Sequence, residues 1–312
     1  DMLQKLTKKF LVIARVRVKT ELPLVPYRGE KVIFPIGTWW GTYATPEIRL
    51  LLRYGGIEKV DRVAVYRGEK IFKSYVDFFY DMKRDAKISG DRTSYLMSKL
   101  FLNSLYGKFG QRTKELVPAC EDEITLEEAQ EEIITTDGRR IKYIVFMGKV
   151  WNVKDRAPSE NSFIAIASHV TSYARVHLWK LIERAGMENV LYMDTDSLFV
   201  TEEGFRRLKK WIDNEKLGYL KLERAGEGIE IRGAKNYTFA GVTKIKGIPK
   251  RARQVDEKTW EFEQFMRFRT KLRKGLLNEQ VTKLMTRTLR TEYDKGQVLP
   301  SGRVIPLVVV ES

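Results

Sequence analysis

Two aspartates in the stretch VLYMDTDSLFV, residues 190 to 200, are the residues best placed to do chemistry. Asp194 and Asp196 stand at the tip of two apolar runs, where bare carboxylates are costly unless something positive meets them. In an extended strand, residues two apart face the same way, so both carboxylates can point into one space. Thr195 and Ser197 are short, polar and compatible with a turn. Two carboxylates on a rigid tip suit a hard, oxygen-loving cation such as Mg²⁺. Two such ions roughly 3.5–4 Å apart can clamp both oxygens of an in-line phosphoryl displacement. The same residues also describe an Asp-rich surface turn, so other elements must carry part of the argument.

A second element is SKLFLNSLYGKFG, residues 98 to 110. On a helix, Lys99, Asn103, Tyr106 and Gly110 follow the spacing of one stripe. Leu100, Leu102 and Leu105 lie off it and can pack. A lysine is a point charge suited to a triphosphate. An asparagine can hydrogen-bond phosphate oxygen, and a tyrosine face can stack on a sugar or base. Gly107 permits the close approach of another backbone or a base pair. A third element is RGAKNYTFAG, residues 232 to 241. As a strand it would place Lys235 and Tyr237 on one face, a combination that suits a nucleic-acid backbone and its sugar.

The surrounding pattern supplies the elements that must position these groups. FLVIARVRVK and KVDRVAVYRG read as strands. TPEIRLLLRYGG reads as a short helix, with Thr45 as N-cap, Pro46 at the first helical position and Gly55 or Gly56 as its stop. Residues 75 to 110 are helical in pattern and broken at Ser89–Asp91, which predicts two antiparallel helices. RRIKYIVFMGKVWNV predicts a strand pair. SFIAIASHVTSYARVHLWKLIERAG predicts a long helix stopped by Gly186. A helix over EEGFRRLKKWIDNE and mixed strands to about residue 262 follow. Residues 262 to 291 are expected to be helical and basic. The acidic EDEITLEEAQEE within residues 113 to 140 reads as a solvated insertion. Strands and helices mix without regular alternation, so the expected class is α+β.

Composition narrows the function classes. The chain of 312 residues carries 57 Lys+Arg against 41 Asp+Glu, a net charge of +16, so a polyanion partner is expected. Residues 241 to 312 hold 16 Lys+Arg and 8 Asp+Glu, which concentrates half of the excess there. One cysteine, Cys120, excludes an internal disulfide and suits a reducing compartment. Two histidines, His169 and His177, leave little room for a multi-histidine zinc site. No run of about 20 apolar residues predicts a membrane span, and no signal peptide is visible at the start.

KLFLNSLYGKFG resembles the Kx₃NSxYG motif of family B DNA polymerases, YMDTDS resembles their YxDTDS motif, and KNY their KxY motif. The three occur in the family's order. GTWWGTYATPEIRLLLRYG, IFKSYVDFFYDMK, IAIASHVTSYAR and KLGYLKLE are similar to the protein-primed, viral and organellar-plasmid branch, and the likeness runs from about residue 9 to the end. The resemblance implies a right-hand polymerase: an antiparallel palm sheet, helical fingers and a basic thumb. It implies a palm-proximal region over 1–72, fingers over 73–110, an insertion and palm strands over 111–160, palm over 161–240 and thumb over 241–312. It implies that Asp196 binds catalytic metal, with Asp194 as its partner. Lys99 and Asn103 would hold the incoming deoxynucleoside triphosphate, with Lys83 a further cation near it. Tyr106 would pack at the nascent base pair. Lys235 and Tyr237 would grip the primer terminus, and Ser104, Gly107 and Thr195 would lie along the DNA. Mg²⁺ is the implied cofactor, with Mn²⁺ as a substitute, and primer-template DNA the implied partner.

The family's other essential aspartate lies in a D-x-x-S-x-Y-P motif, and no stretch here matches it. Asp77 in VDFFYDM lacks the Ser and Pro. These residues are therefore expected to be the C-terminal part of a polymerase, working with an N-terminal polypeptide that carries this aspartate and the 3′–5′ exonuclease. A terminal protein is a further partner of the branch, and the host cytoplasm or an organelle is the expected setting. A DNA-clamping subunit without chemistry, or a reverse transcriptase, would share parts of this pattern. The first needs neither aspartate, and the second does not pair the acidic hairpin with K-x-x-x-N-S-x-Y-G.

Overall fold

The computed structural model describes residues 2–119, 130–134, 140–146, 149–158, 162–266, 271, 276, 279–289 and 293–311. The chain opens with α1 (Met2–Lys9), β1 (Leu11–Thr20), the short pair β2 (Tyr27–Arg28) and β3 (Val32–Ile33), and β4 (Ile36–Ala44). Next come α2 (Thr45–Arg53), β5 (Ile57–Tyr66), α3 (Lys73–Ser89) and α4 (Arg92–Phe109). Strands β6 (Arg112–Pro118), β7 (Gln130–Ile134), β8 (Arg140–Phe146) and β9 (Lys149–Pro158) precede α5 (Ile164–Ala185). The hairpin β10 (Val190–Asp194) and β11 (Ser197–Val200) leads to α6 (Glu202–Leu208). The later strands are β12 (Ile229–Gly233), β13 (Asn236–Phe239), β14 (Val242–Ile245), β15 (Arg253–Gln254), β16 (Thr259–Phe265) and β17 (Thr282–Thr288). The pair β18 (Gln297–Val298) and β19 (Val304–Ile305) comes before β20 (Val308–Val310). The class is α+β, with several small antiparallel sheets.

Two compact units divide the chain. The first comprises Asp1–Gly110, Phe163–Thr243 and Glu292–Ser312; the second comprises Gln111–Ser162 and Lys244–Thr291. The core of the first unit forms on one face of the sheet ordered β20-β4-β1-β5. In β1 the alternation LVIARVRVKT sends Val12, Ala14, Val16 and Val18 inward, all fully or almost fully buried, while Arg15 and Arg17 turn outward. Trp39 of β4, Ile48 and Leu51 of α2, and Val176 and Trp179 of α5 close over that face. The second unit contains the sheet β6-β9-β8-β7 and the sheet β15-β16-β17. Among the described residues no helix is long and apolar enough to cross a membrane.

Three local expectations are corrected. The stretch from Phe262 to Thr291 is not one helix: β16 and β17 pair antiparallel from Thr259↔Thr288 to Phe265↔Thr282, and between them Lys271 is helical. Trp260 and Phe262 in one strand, and Thr282, Thr286 and Thr288 in the other, favour a pleated backbone over a helix. Thr45 is not the N-cap of α2; Ala44 holds that position without a side-chain bond. The Thr45 hydroxyl instead bonds across to β1, accepting from the Val12 N–H at 2.5 Å. Leu100 does not pack but is 64% exposed, whereas Leu102 and Leu105 are half-buried. The acidic stretch EDEITLEEAQEE lies outside the described residues, apart from its last three positions, which begin β7.

Candidate active site

The acidic tip is a two-residue turn. Its strands are in register through Tyr192↔Phe199, Met193↔Leu198 and Asp194↔Ser197, which leaves Thr195 and Asp196 to reverse the chain. Asp194 therefore ends a strand while Asp196 belongs to the turn, so turn geometry rather than strand alternation sets the relation of the two carboxylates. The turn is tight: the Asp196 N–H reaches the Asp194 carbonyl at 2.5 Å, and the Ser197 hydroxyl donates to the same oxygen at 3.1 Å. Thr195 takes the left-handed conformation with φ 53°, a strained choice for a β-branched residue. Its hydroxyl donates to the Asp194 carboxylate at 2.9 Å and helps hold it there.

Lys235 supplies the positive group that meets Asp194. Strands β12 and β13 pair through Gly233↔Asn236, so Lys235 sits in the turn between them rather than on a strand face with Tyr237. Its ammonium lies 2.6 Å from Asp194 Oδ2. The Asp194 carboxylate raises the lysine above the ordinary lysine range, chiefly through that hydrogen bond, with smaller contributions from the charge of Asp194 and then from Tyr192 and Asp196. The backbone N–H of Lys235 donates to the Tyr192 hydroxyl at 2.7 Å. Lys235 and Ala240 also have positive φ, at 61° and 46°. With Thr195 they are the three non-glycine residues of that kind among the described residues, and two of them, Thr195 and Lys235, lie in the turns that form this site. Such clustering is common where strain serves function.

An aromatic cluster backs the turn. The ring of Tyr192 lies 5.6 Å from Tyr237 and 5.7 Å from Phe199, and Phe199 lies 4.9 Å from Tyr237 and 5.4 Å from Phe239. Burial, and then the neighbouring Tyr192, raise the Tyr293 phenol above its ordinary value. Tyr192 opens the YMDTDS motif without an assigned role, and Phe199 lies outside the motifs. The available signal is their placement: Tyr192 is two residues before Asp194 on one strand, and Phe199 faces it in register.

The second group of candidates lies on the α3–α4 hairpin. Asp91 caps α4, accepting from the N–H groups of Thr93 and Ser94 at 3.0 and 3.1 Å. Phe79 packs on Phe101 at 4.9 Å and Phe72 on Phe109 at 5.3 Å, which joins the two helices. Lys99, Asn103, Ser104, Tyr106 and Gly107 are all exposed, with Tyr106 at 41%. Nothing lies within 4 Å of the Cβ position of Gly107, so that face is open. Gly110 differs: a Cβ there would meet the Ala167 side chain at 3.1 Å, so the end of the stripe seats α4 against α5. Lys83 of α3 lies 5.1 Å over the Tyr80 ring, and the Tyr80 hydroxyl donates to the Glu215 carbonyl at 2.8 Å.

The structure thus brings Asp194, Thr195, Lys235 and Tyr237 together with Tyr192, and sets Lys99, Asn103, Ser104, Tyr106 and Gly107 along an exposed helix. Among the described residues no three His, Cys, Asp or Glu side chains gather as a metal site. The two aspartates and the Thr195 hydroxyl are oxygen donors only, which fits a hard divalent ion. Of the two carboxylates, Asp194 is paired with Lys235, and together they are the groups that could hold such an ion.

Comparison with known proteins bears on this geometry. A family model described as DNA polymerase type B, organellar and viral, matches residues 3–186, more than half of the chain. A probable DNA polymerase of Neurospora intermedia is 30% identical over 237 residues, covering 71% of this chain and 23% of the relative. A probable DNA polymerase of Podospora anserina is 26% identical over 92% of this chain and 26% of its own length. The DNA-directed DNA polymerase of Enterobacteria phage PRD1 is 34% identical over 59% of this chain and 32% of its own length. The chain spans about a quarter to a third of these relatives. No solved structure matches it at a significant level. With the α4 stripe inside the matched segment and the acidic turn directly after it, the chain belongs to the organellar and viral family of type B DNA polymerases.

Proposed function

We propose that this chain forms the fingers, part of the palm and the thumb of a DNA-directed DNA polymerase, and that it carries half of the metal site for nucleotidyl transfer. The observation that carries this reading is the acidic turn with Lys235 locked to Asp194, in a chain of this family. In the proposal, residues 73–110 are the fingers, 161–240 the palm around the hairpin, 241–312 the thumb, 1–72 the palm-proximal region and 111–160 an insertion with palm strands. Together they would form a right hand.

Asp196, with Asp194 beside it, would hold Mg²⁺ or Mn²⁺. The bound metal supplies charge neutralisation at the triphosphate and acidifies the primer hydroxyl. The protein's own share is positioning, which dominates in phosphoryl transfer. Lys99, Asn103 and Lys83 would bind triphosphate oxygens. Tyr106, beside the open face at Gly107, would pack against the nascent base pair, with Ser104 and Thr195 along the DNA. Lys235 would hold the Asp194 carboxylate in one orientation, and with Tyr237 it would present a cation and a ring to the primer terminus. The basic residues of 241–312 would contact phosphates without sequence choice, giving an affinity that falls steeply with salt.

Two carboxylates alone hold Mg²⁺ weakly. We assign a further carboxylate, and the exonuclease, to polypeptide outside these 312 residues. The setting would be that of viral or organellar genome copying, in host cytoplasm or organelle, with a terminal protein as a further partner. Primer extension with four deoxynucleotides and Mg²⁺, run on the chain alone and with the polypeptide encoded upstream, tests the proposal. Extension in the mixture that is lost in Asp196→Ala, with DNA binding retained, is the expected result. Full activity of Asp196→Ala overturns the metal assignment. DNA binding without extension in either sample overturns the catalytic reading in favour of a binding subunit.

A further inference from the structure

The acidic turn rides on a sheet of only two strands, β10 and β11. An isolated two-stranded hairpin is marginal in water. Its ladder is also irregular near the root: Val190 pairs with Val200 and Tyr192 with Phe199, so Leu191 is an extra residue in one strand. Such a bulge bends a strand and re-aims its side chains. Something beyond the ladder must therefore set the direction in which Asp194 and Asp196 point.

Asn189 and Thr201 flank the hairpin immediately outside its two strands. The Thr201 N–H donates to the Asn189 carbonyl at 2.9 Å, and the Thr201 hydroxyl donates to Asn189 Oδ1 at 2.8 Å. On its other side the Asn189 amide donates to the Ala185 carbonyl at 2.9 Å, in the last turn of α5, and to Glu188 Oε1 at 3.1 Å. The Thr201 hydroxyl also caps α6, accepting from the Gly204 N–H at 3.2 Å. Asn189 is 8% exposed, so its amide is satisfied within the protein on both its donor and its acceptor side. Gly204 is packed into the same knot: a Cβ there would lie 3.0 Å from both the Asn189 and the Val200 side chains.

Resting on the metal reading of the turn, we propose that Asn189 and Thr201 are positioning residues. They form a hydrogen-bonded clamp that ties both legs of the acidic hairpin to the ends of α5 and α6, and so aim its carboxylates at the bound cation. The clamp acts through Asp194 and Asp196 and touches neither substrate nor metal.

The test uses the 312-residue chain and three readouts: hydrogen exchange of peptides across 190–200, Mn²⁺ affinity by calorimetry, and thermal midpoint. Asn189→Ala and Thr201→Val are expected to speed exchange in 190–200 roughly five- to tenfold, as for loss of one buried hydrogen bond. Exchange in the body of α5 should stay as it is. Mn²⁺ affinity should fall about tenfold, as for other groups that orient metal ligands. Thr201→Ser keeps the hydroxyl and should restore both values. Unchanged exchange in the hairpin overturns the clamp. Faster exchange with unchanged Mn²⁺ affinity overturns its positioning role, and loss of protection throughout the unit in both variants reduces it to general packing. Asp196→Asn separates the two ideas: wild-type Mn²⁺ affinity in that variant sinks the metal reading of the turn, and hydrogen exchange still judges the clamp.

Discussion

Two helices of the first unit use polar residues in opposite ways. Helix α5, of 22 residues, buries eight, among them His169 and Ser172. Helix α4, of 18 residues, buries only Ser98. Three polar side chains of α5 are answered from inside. The Arg175 guanidinium donates to the nearly buried Glu47 of α2 at 2.8 Å, His169 contacts the Thr45 hydroxyl at 3.2 Å, and the Glu47 N–H donates to Ser172 at 3.3 Å. The stripe of α4 faces solvent with its cation, amide and ring side by side. A motif scan sees two helices rich in polar residues. Burial shows that one is mortar between layers and the other an exposed surface.

Substitutions in the two layers should therefore split stability from activity. The largest effect is expected for Trp39→Ala. That side chain is fully buried and its indole N–H donates to the Tyr43 hydroxyl at 2.8 Å. A loss of about 4 kcal/mol in urea unfolding is expected. Glu47→Gln should follow, at about 3 kcal/mol, because it leaves Arg175 without its buried counter-ion. A cost below that of an ordinary surface substitution would show that the α2–α5 pair is incidental.

Smaller effects belong to the hairpin. Asp91→Ala removes the cap of α4 and should lower the thermal midpoint slightly, with helix loss confined to the first turn. The capping bonds from Ser94, the largest cause, and from Thr93 lower the Asp91 carboxyl below its ordinary 3.8. A lowered carboxyl contributes stability that is present above the unfolded-state value and lost as pH falls through the folded-state value. The wild type and Asp91→Ala should therefore differ at neutral pH and converge in acid. The smallest stability change is expected for Tyr106→Ala, within about 0.5 kcal/mol, accompanied by weaker nucleotide binding in the assembled enzyme. A large loss of stability there would place Tyr106 with the mortar.

Much of the first unit is legible from periodicity. The alternation of β1, the break between α3 and α4, the stop of α5 at Gly186 and the acidic hairpin all follow from local pattern. Less legible is whatever depends on a partner distant in the chain. Lys235 meets Asp194 across 40 intervening positions, and nothing in K-N-Y announces that its lysine will sit in a turn at positive φ. Thr45 has the chemistry of a cap, but the β1 backbone offered its hydroxyl a buried partner. Strands β16 and β17 carry two glutamates and two basic residues between them, and the basic reading of 262–291 comes from the residues that lie between the two strands.

The last strand has a consequence for biosynthesis. Strand β20 runs parallel to β4 through Val308↔Ile36 to Val310↔Thr38, and Glu311 fastens it by accepting from the Tyr27 hydroxyl at 2.6 Å and the Trp40 N–H at 3.2 Å. Their partner in the sheet is thus made some 270 residues after β4. At roughly 5–20 residues per second, the edge of β4 waits on the order of 10–50 s for it on the ribosome. That edge is Ile36–Thr38, and an unpaired strand edge is a template for wrong partners. The nascent chain should therefore stay open to non-native pairing along this edge until β20 docks on it.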